Sequence, residues 1–124
     1  MRIGSDDSFL SVERVGQDGP TVVWRVEAAV VGVRWKFAAV HDRVRVDKSD
    51  ETLRQIADFT AHRVQRLGMM LLEGGWLRIK RDPSGCILIR YRVGQVSAGA
   101  ALEGEVLLKG TSAEAFCREL GGLL

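Results

Sequence analysis

Cysteine, histidine and proline are nearly missing from this sequence, with two of each in 124 residues. Cys86 and Cys117 form no CxxC pair and no metal-type spacing. That excludes a disulfide scaffold and a zinc site, and leaves two reduced thiols as the reading. His41 and His62 lie well apart, and His41-Asp42 is a lone dipeptide without further ligands, so no metal and no cofactor is expected. There is no GxGxxG, P-loop, HExxH or GxSxG, so the known signatures for nucleotide binding, zinc hydrolysis and serine hydrolysis are excluded. The opening residues run from Arg2 and Ile3 straight into Gly4, Ser5, Asp6 and Asp7, without the apolar stretch of a signal peptide. No apolar run approaches the ~20 residues of a membrane span. A cytoplasmic location without membrane contact is the expectation. A dominant charge sign is missing too: 18 basic against 16 acidic residues leave +2, too little to argue for nucleic acid by bulk charge.

The chain has 46 % hydrophobic and 27 % charged residues, the balance of a folded globular protein. Its length suits one domain over residues 1–124. No internal repeat or linker is evident. Ser8 to Val15 reads as a strand with Leu10 and Val12 on one face. Thr21 to Val31 alternates, with Val22, Trp24, Val26, Ala28 and Val30 inward. Val33 to Val40 alternates again, with Val33, Trp35, Phe37 and Ala39 inward, and a short strand follows near Val44 to Val46. Ser49 is an N-cap candidate with Asp50 and Glu51 in the first turn. Leu53, Ile56, Ala57, Thr60, Val64 and Leu67 recur at helical spacing, which predicts a long helix ending at Gly68 and carrying His62 on its solvated face. Trp76 to Arg81 and Cys86 to Val93 flank Asp82-Pro83-Ser84-Gly85, a type I turn with Gly85 in the left-handed region. Ala101 to Lys109 is the last strand. Thr111 and Glu114 fit a capping box opening a short C-terminal helix. The expectation is an α+β fold: a mostly antiparallel sheet of about six to eight strands, one long helix and one short C-terminal helix.

Matching like faces proposes registers. Val26 falls opposite Phe37 and Glu27 opposite Lys36. Trp76 falls opposite Arg92, Leu77 opposite Tyr91, Arg78 opposite Arg90 and Ile79 opposite Ile89. Val93 meets Leu102, Arg92 meets Glu103, Arg90 meets Glu105 and Ile89 meets Val106. The outer face then collects Arg25, Arg34, Lys36, Arg78, Lys80, Arg90 and Arg92, with Trp76 among them. Trp and Arg are the residue types enriched at interface anchors. Trp76, Arg78, Arg90, Arg92, Arg34 and Lys36 are therefore the candidate partner-binding residues, and no catalytic set is identifiable.

Leu53 to Phe59 follows the pattern L-x-x-I-A-x-F. Leu72-Glu73-Gly74-Gly75-Trp76-Leu77 precedes hairpins, and Thr111 through Leu124 closes the chain with Glu114, Leu120 and Leu123-Leu124. In this order of elements the chain resembles the WapI-type immunity-protein group and neighbouring uncharacterised small bacterial families. The resemblance implies neutralisation of a toxin by binding, without catalytic residues. Immunity proteins against nucleases are commonly acidic, whereas this chain is slightly basic, so an acidic protein surface is the partner expected. A nucleic-acid-binding domain using the basic sheet face is the alternative.

Overall fold

Period-two alternation dominates the chain. The structure, a computed structural model describing residues 1–72, 74–95 and 100–124, realises that alternation as eight strands and two helices. The strands are β1 (Arg2–Gly4), β2 (Phe9–Asp18), β3 (Thr21–Val31), β4 (Lys36–Asp47), β5 (Arg66–Met70), β6 (Trp76–Arg81), β7 (Ile87–Gln95) and β8 (Ala100–Leu108). Helix α1 (Asp50–Thr60) follows β4, and α2 (Thr111–Leu120) follows β8 and runs into a 3-10 turn at Gly121–Leu123. Glu73, inside the Leu72 to Leu77 motif, lies outside the described residues.

The strands form two antiparallel four-stranded sheets, ordered β1-β2-β3-β4 and β5-β6-β7-β8, rather than the one sheet expected. Each is a meander followed by a helix. The same element order thus occurs twice, although the sequence carries no detectable repeat. Between the sheets runs one isolated bridge, Val46 with Leu71, reinforced by the Leu72 N–H donating to the Arg45 carbonyl at 3.0 Å. The inner faces of both sheets and the apolar stripes of both helices share one core, which includes Leu10, Trp24, Val46, Phe59, Ile89, Tyr91 and Phe116. Long-range ties cross it. The Trp24 indole N–H donates to the Leu123 carbonyl at 2.8 Å, and the Tyr91 hydroxyl donates to the Phe9 carbonyl at 3.3 Å. Burial pushes the Tyr91 phenol pKa up, so that donor stays protonated.

The second sheet follows the proposed registers throughout. Trp76 pairs with Arg92, Leu77 with Tyr91, Arg78 with Arg90 and Ile79 with Ile89. Val93 pairs with Leu102, Arg92 with Glu103, Arg90 with Glu105 and Ile89 with Val106. The turn between β6 and β7 is responsible for the first of these ladders. Gly85 has φ of 89°, its N–H donates to the Asp82 carbonyl at 3.0 Å, and the Asp82 carboxylate accepts from the N–H groups of Ser84 and Cys86 and from the Ser84 hydroxyl.

The first sheet departs from expectation at β3–β4. Val26 pairs with His41 and Glu27 with Val40, while Phe37 meets Val30 and Lys36 meets Val31. The connection is longer than a two-residue turn, closing through the Gly32 N–H on the Trp35 carbonyl, 2.8 Å. A bulge then sets Asp42 and Arg43 against Arg25, so the 33–40 and 44–46 segments merge into one strand. Phe37 and Ala39 do share the inner face, beside Val30 and Ala28, but among the described residues no second layer covers that end of the sheet. Phe37 is 58 % exposed, Trp35 51 % and Val33 fully exposed, so these are not core residues.

Helix α1 stops seven residues before Leu67. Ser49 caps its start, its hydroxyl accepting from the Thr52 N–H at 3.2 Å. At its end His62 adopts φ of 62°, with the His62 N–H donating to the Phe59 carbonyl and the Arg63 N–H to the Asp58 carbonyl. That is a Schellman stop, and it places His62 beyond the helix rather than on it. Leu67 and Met69 are then buried as alternating residues of β5. The capping box at Thr111 does not form either. Gly110, at φ of 54°, occupies the N-cap position and Thr111 is already helical, so its hydroxyl is one residue too far along.

Candidate functional site

The outer face of the second sheet is a lattice of side chains three rows deep. Paired positions place Arg66, Lys80 and Leu88 in one row, and Gly68, Arg78, Arg90 and Glu105 in the next. Met70, Trp76, Arg92 and Glu103 make the third. Their inward neighbours Leu67, Leu77, Ile79, Ile89, Tyr91 and Val93 are buried, so the core locks the backbone and alternation forces every second residue outward.

Five cations thus face two carboxylates. Both carboxylates are engaged: Arg90 Nε donates to Glu105 at 2.7 Å, and Arg92 donates to Glu103 through both Nε, at 2.7 Å, and Nη2. Among the described residues Arg66, Arg78 and Lys80 have no ion-pair partner. They surround a shallow depression of about 460 Å³, floored at Gly68 where a side chain is missing and walled by Leu88. Trp76 lies beside it, half-buried. The Arg78 guanidinium covers the indole at 4.3 Å from the ring centroid, and Arg92 stands at 5.7 Å. Each such contact is worth roughly 0.5–1 kcal/mol at an exposed site. The repulsion between paired Arg78 and Arg90 is relieved on one side only, by Glu105.

Four of the six expected site residues come together here: Trp76, Arg78, Arg90 and Arg92. Arg34 and Lys36 do not join them. Arg34 lies in the β3–β4 connection of the other sheet and Lys36 opens β4, 4.0 Å from Asp7. The expectation of a single basic face fails because it assumed a single sheet. Arg25 also lies on the first sheet, 3.4 Å from Asp42.

Sequence reasoning passed over Arg66, which the long helix had absorbed, and Arg81. Arg81 is buried, at the inward parity of Leu77 and Ile79, a signal the alternation did carry. Its guanidinium stacks 4.3 Å from the Phe59 ring centroid, donates to the Phe59 carbonyl at 2.9 Å and reaches the Cys117 sulfur at 3.4 Å. A fixed cation there satisfies the negative end of the α1 dipole and ties both helices to β6. No group of three potential metal ligands occurs among the described residues, and no helix there is long and apolar enough to cross a membrane. No protein-family model, no curated protein and no solved structure matches the chain.

Proposed function

We propose that this protein is a non-catalytic binding module that docks an acidic protein surface on the outer face of its second sheet. The observation that carries this reading is the trio Arg66, Arg78 and Lys80, without a carboxylate partner among the described residues, around the Gly68 depression beside a half-buried tryptophan. Interface anchors combine an aromatic platform with arginines that hydrogen-bond carboxylates in pairs. An incoming Asp or Glu would complete the Arg78–Arg90 pairing that Glu105 leaves one-sided. Neutralisation of a toxin by binding, which the likeness to the WapI-type group implies, is the biological form this activity would take. Nucleic acid fits less well: Arg78 already covers the indole face on which a base would stack, and the net charge is only +2.

The test is affinity capture from the native host with the wild type and with the double substitution Trp76→Ala, Arg78→Glu. The wild type should retain a specific acidic protein. The double variant should lose it while remaining folded, its melting temperature lowered by only several degrees, since the substitution removes two cation–π contacts and no core side chain. Retention by the variant moves the interface elsewhere. A wild type that captures no protein but shifts single-stranded probes, with affinity falling steeply in salt, replaces this reading with the nucleic-acid one.

A further inference from the structure

Strand β4 forms the edge of the first sheet, and its two halves are treated differently. Its C-terminal half is covered where Arg45 and Val46 meet Leu71 and Leu72. From Lys36 to Asp42 the side away from β3 has no backbone partner among the described residues. An open strand edge is a template for another strand, and soluble proteins usually guard it with inward charges or proline. Here the free stretch instead reads Lys-Phe-Ala-Ala-Val-His-Asp, apolar in the middle and charged only at its ends. It also carries much of the exposed apolar surface of this end of the molecule, with Phe37 58 % and Val40 49 % exposed.

The order of those residues identifies the occupant. A twofold axis perpendicular to the sheet keeps both inner faces on one side only when odd positions meet odd positions. Centred on Ala39, such a pairing sets Lys36 opposite Asp42 of the second copy at both ends. Ala38 then meets Val40 on the outer face. On the inner face Ala39 meets itself and Phe37 meets His41. Moving the axis to Ala38 or Val40 removes the match between Lys36 and Asp42. The bulge at Asp42–Arg43 ends the regular edge where the charge match ends. We infer that two copies of this chain associate through antiparallel pairing of β4 from Lys36 to Asp42, centred on Ala39, into one continuous eight-stranded sheet.

The charges are available for this. Lys36 and Asp42 have within-chain neighbours, Asp7 at 4.0 Å and Arg25 at 3.4 Å, yet their side chains remain 57 % and 79 % exposed. A single strand pair buries less than the ~800 Å² per partner of a standard stable interface, so the dissociation constant should be on the order of micromolar.

Sedimentation of the full chain across a concentration series tests the pairing. The wild type should dimerise by about 100 µM in low salt. Lys36→Asp alone sets acid against acid at both ends of the pairing, and Asp42→Lys alone sets base against base. Each should weaken self-association at least about tenfold. Mixed in equal amounts, the two variants restore both opposite-charge pairs and should form a heterodimer of near wild-type affinity. Mixing cannot repair the within-chain contacts to Asp7 or Arg25, so recovery separates edge pairing from a folding defect. A wild type that stays monomeric, single variants that dimerise as the wild type does, or a mixture that stays monomeric each overturns the proposal.

Discussion

His62 is the only non-glycine residue with positive φ among the described residues, and it sits at the position after the α1 C-cap where glycine is preferred. The left-handed region costs a residue with a Cβ about 1–2 kcal/mol, part of which glycine returns through greater freedom of the unfolded chain. His62→Gly should therefore raise stability by roughly 0.5–1 kcal/mol, seen as a melting temperature a few degrees higher. An unchanged or lower melting temperature would mean that the exposed imidazole contributes something its backbone does not. The histidine could not be read as a stop from the sequence. Val64 and Leu67 continue the helical spacing past it, and only the burial of Leu67 and Met69 on one face of β5 shows that the period has changed. Arg81 makes the complementary point: parity with Leu77 and Ile79 indicated an inward arginine, but the carbonyl that satisfies it belongs to a helix 22 residues away.

At the scale of the element, the β6–β7 hairpin was legible because its turn residues have few alternatives. Asp82 holds three hydrogen bonds within the turn and Gly85 supplies the positive φ, which fixes one register and with it the positions of Trp76, Arg78, Arg90 and Arg92. The Asp82 pKa is lowered, first by the Ser84 hydroxyl; desolvation opposes this less strongly, and the backbone N–H groups of Cys86, Ser84 and Gly85 lower it further. A carboxyl whose folded pKa lies below its unfolded value stabilises the fold above the unfolded value, near 4, and loses that contribution as pH falls through the folded one. Melting curves of wild type and Asp82→Ala should thus differ at pH 7 and converge as the pH drops below about 4. A gap of constant size would mean that the neutral carboxyl holds the turn as well as the carboxylate does. The β3–β4 hairpin lacks such instruction. Val31-Gly32-Val33-Arg34-Trp35 contains one glycine and no proline or aspartate, so several loop lengths satisfy the alternation. Parity placed Phe37 on the inner face, but alternation says nothing of whether a second layer reaches that far.

For the whole molecule, local pattern could not separate one eight-stranded sheet from two sheets of four, because every ladder among the described residues joins strands consecutive in sequence. The distinction rests on the β4-to-β5 passage through α1, where pairing shrinks to Val46 and Leu71. The same locality governs the order of events in time. Each meander closes only short loops, which lose little chain entropy, whereas the Trp24–Leu123 bond spans 99 residues. The two sheets should therefore zip before the C-terminal turn seals the core. With Trp35→Phe and Trp76→Phe leaving Trp24 as the sole indole, stopped-flow refolding should show far-ultraviolet ellipticity recovering ahead of Trp24 fluorescence. Coincident single exponentials would show that the closing turn is part of the rate-limiting nucleus. In the expected case, Trp24 is a clock for the last step, and during the interval before it the newly made β4 edge and the unsealed core are open together, so refolding yield should fall as chain concentration rises.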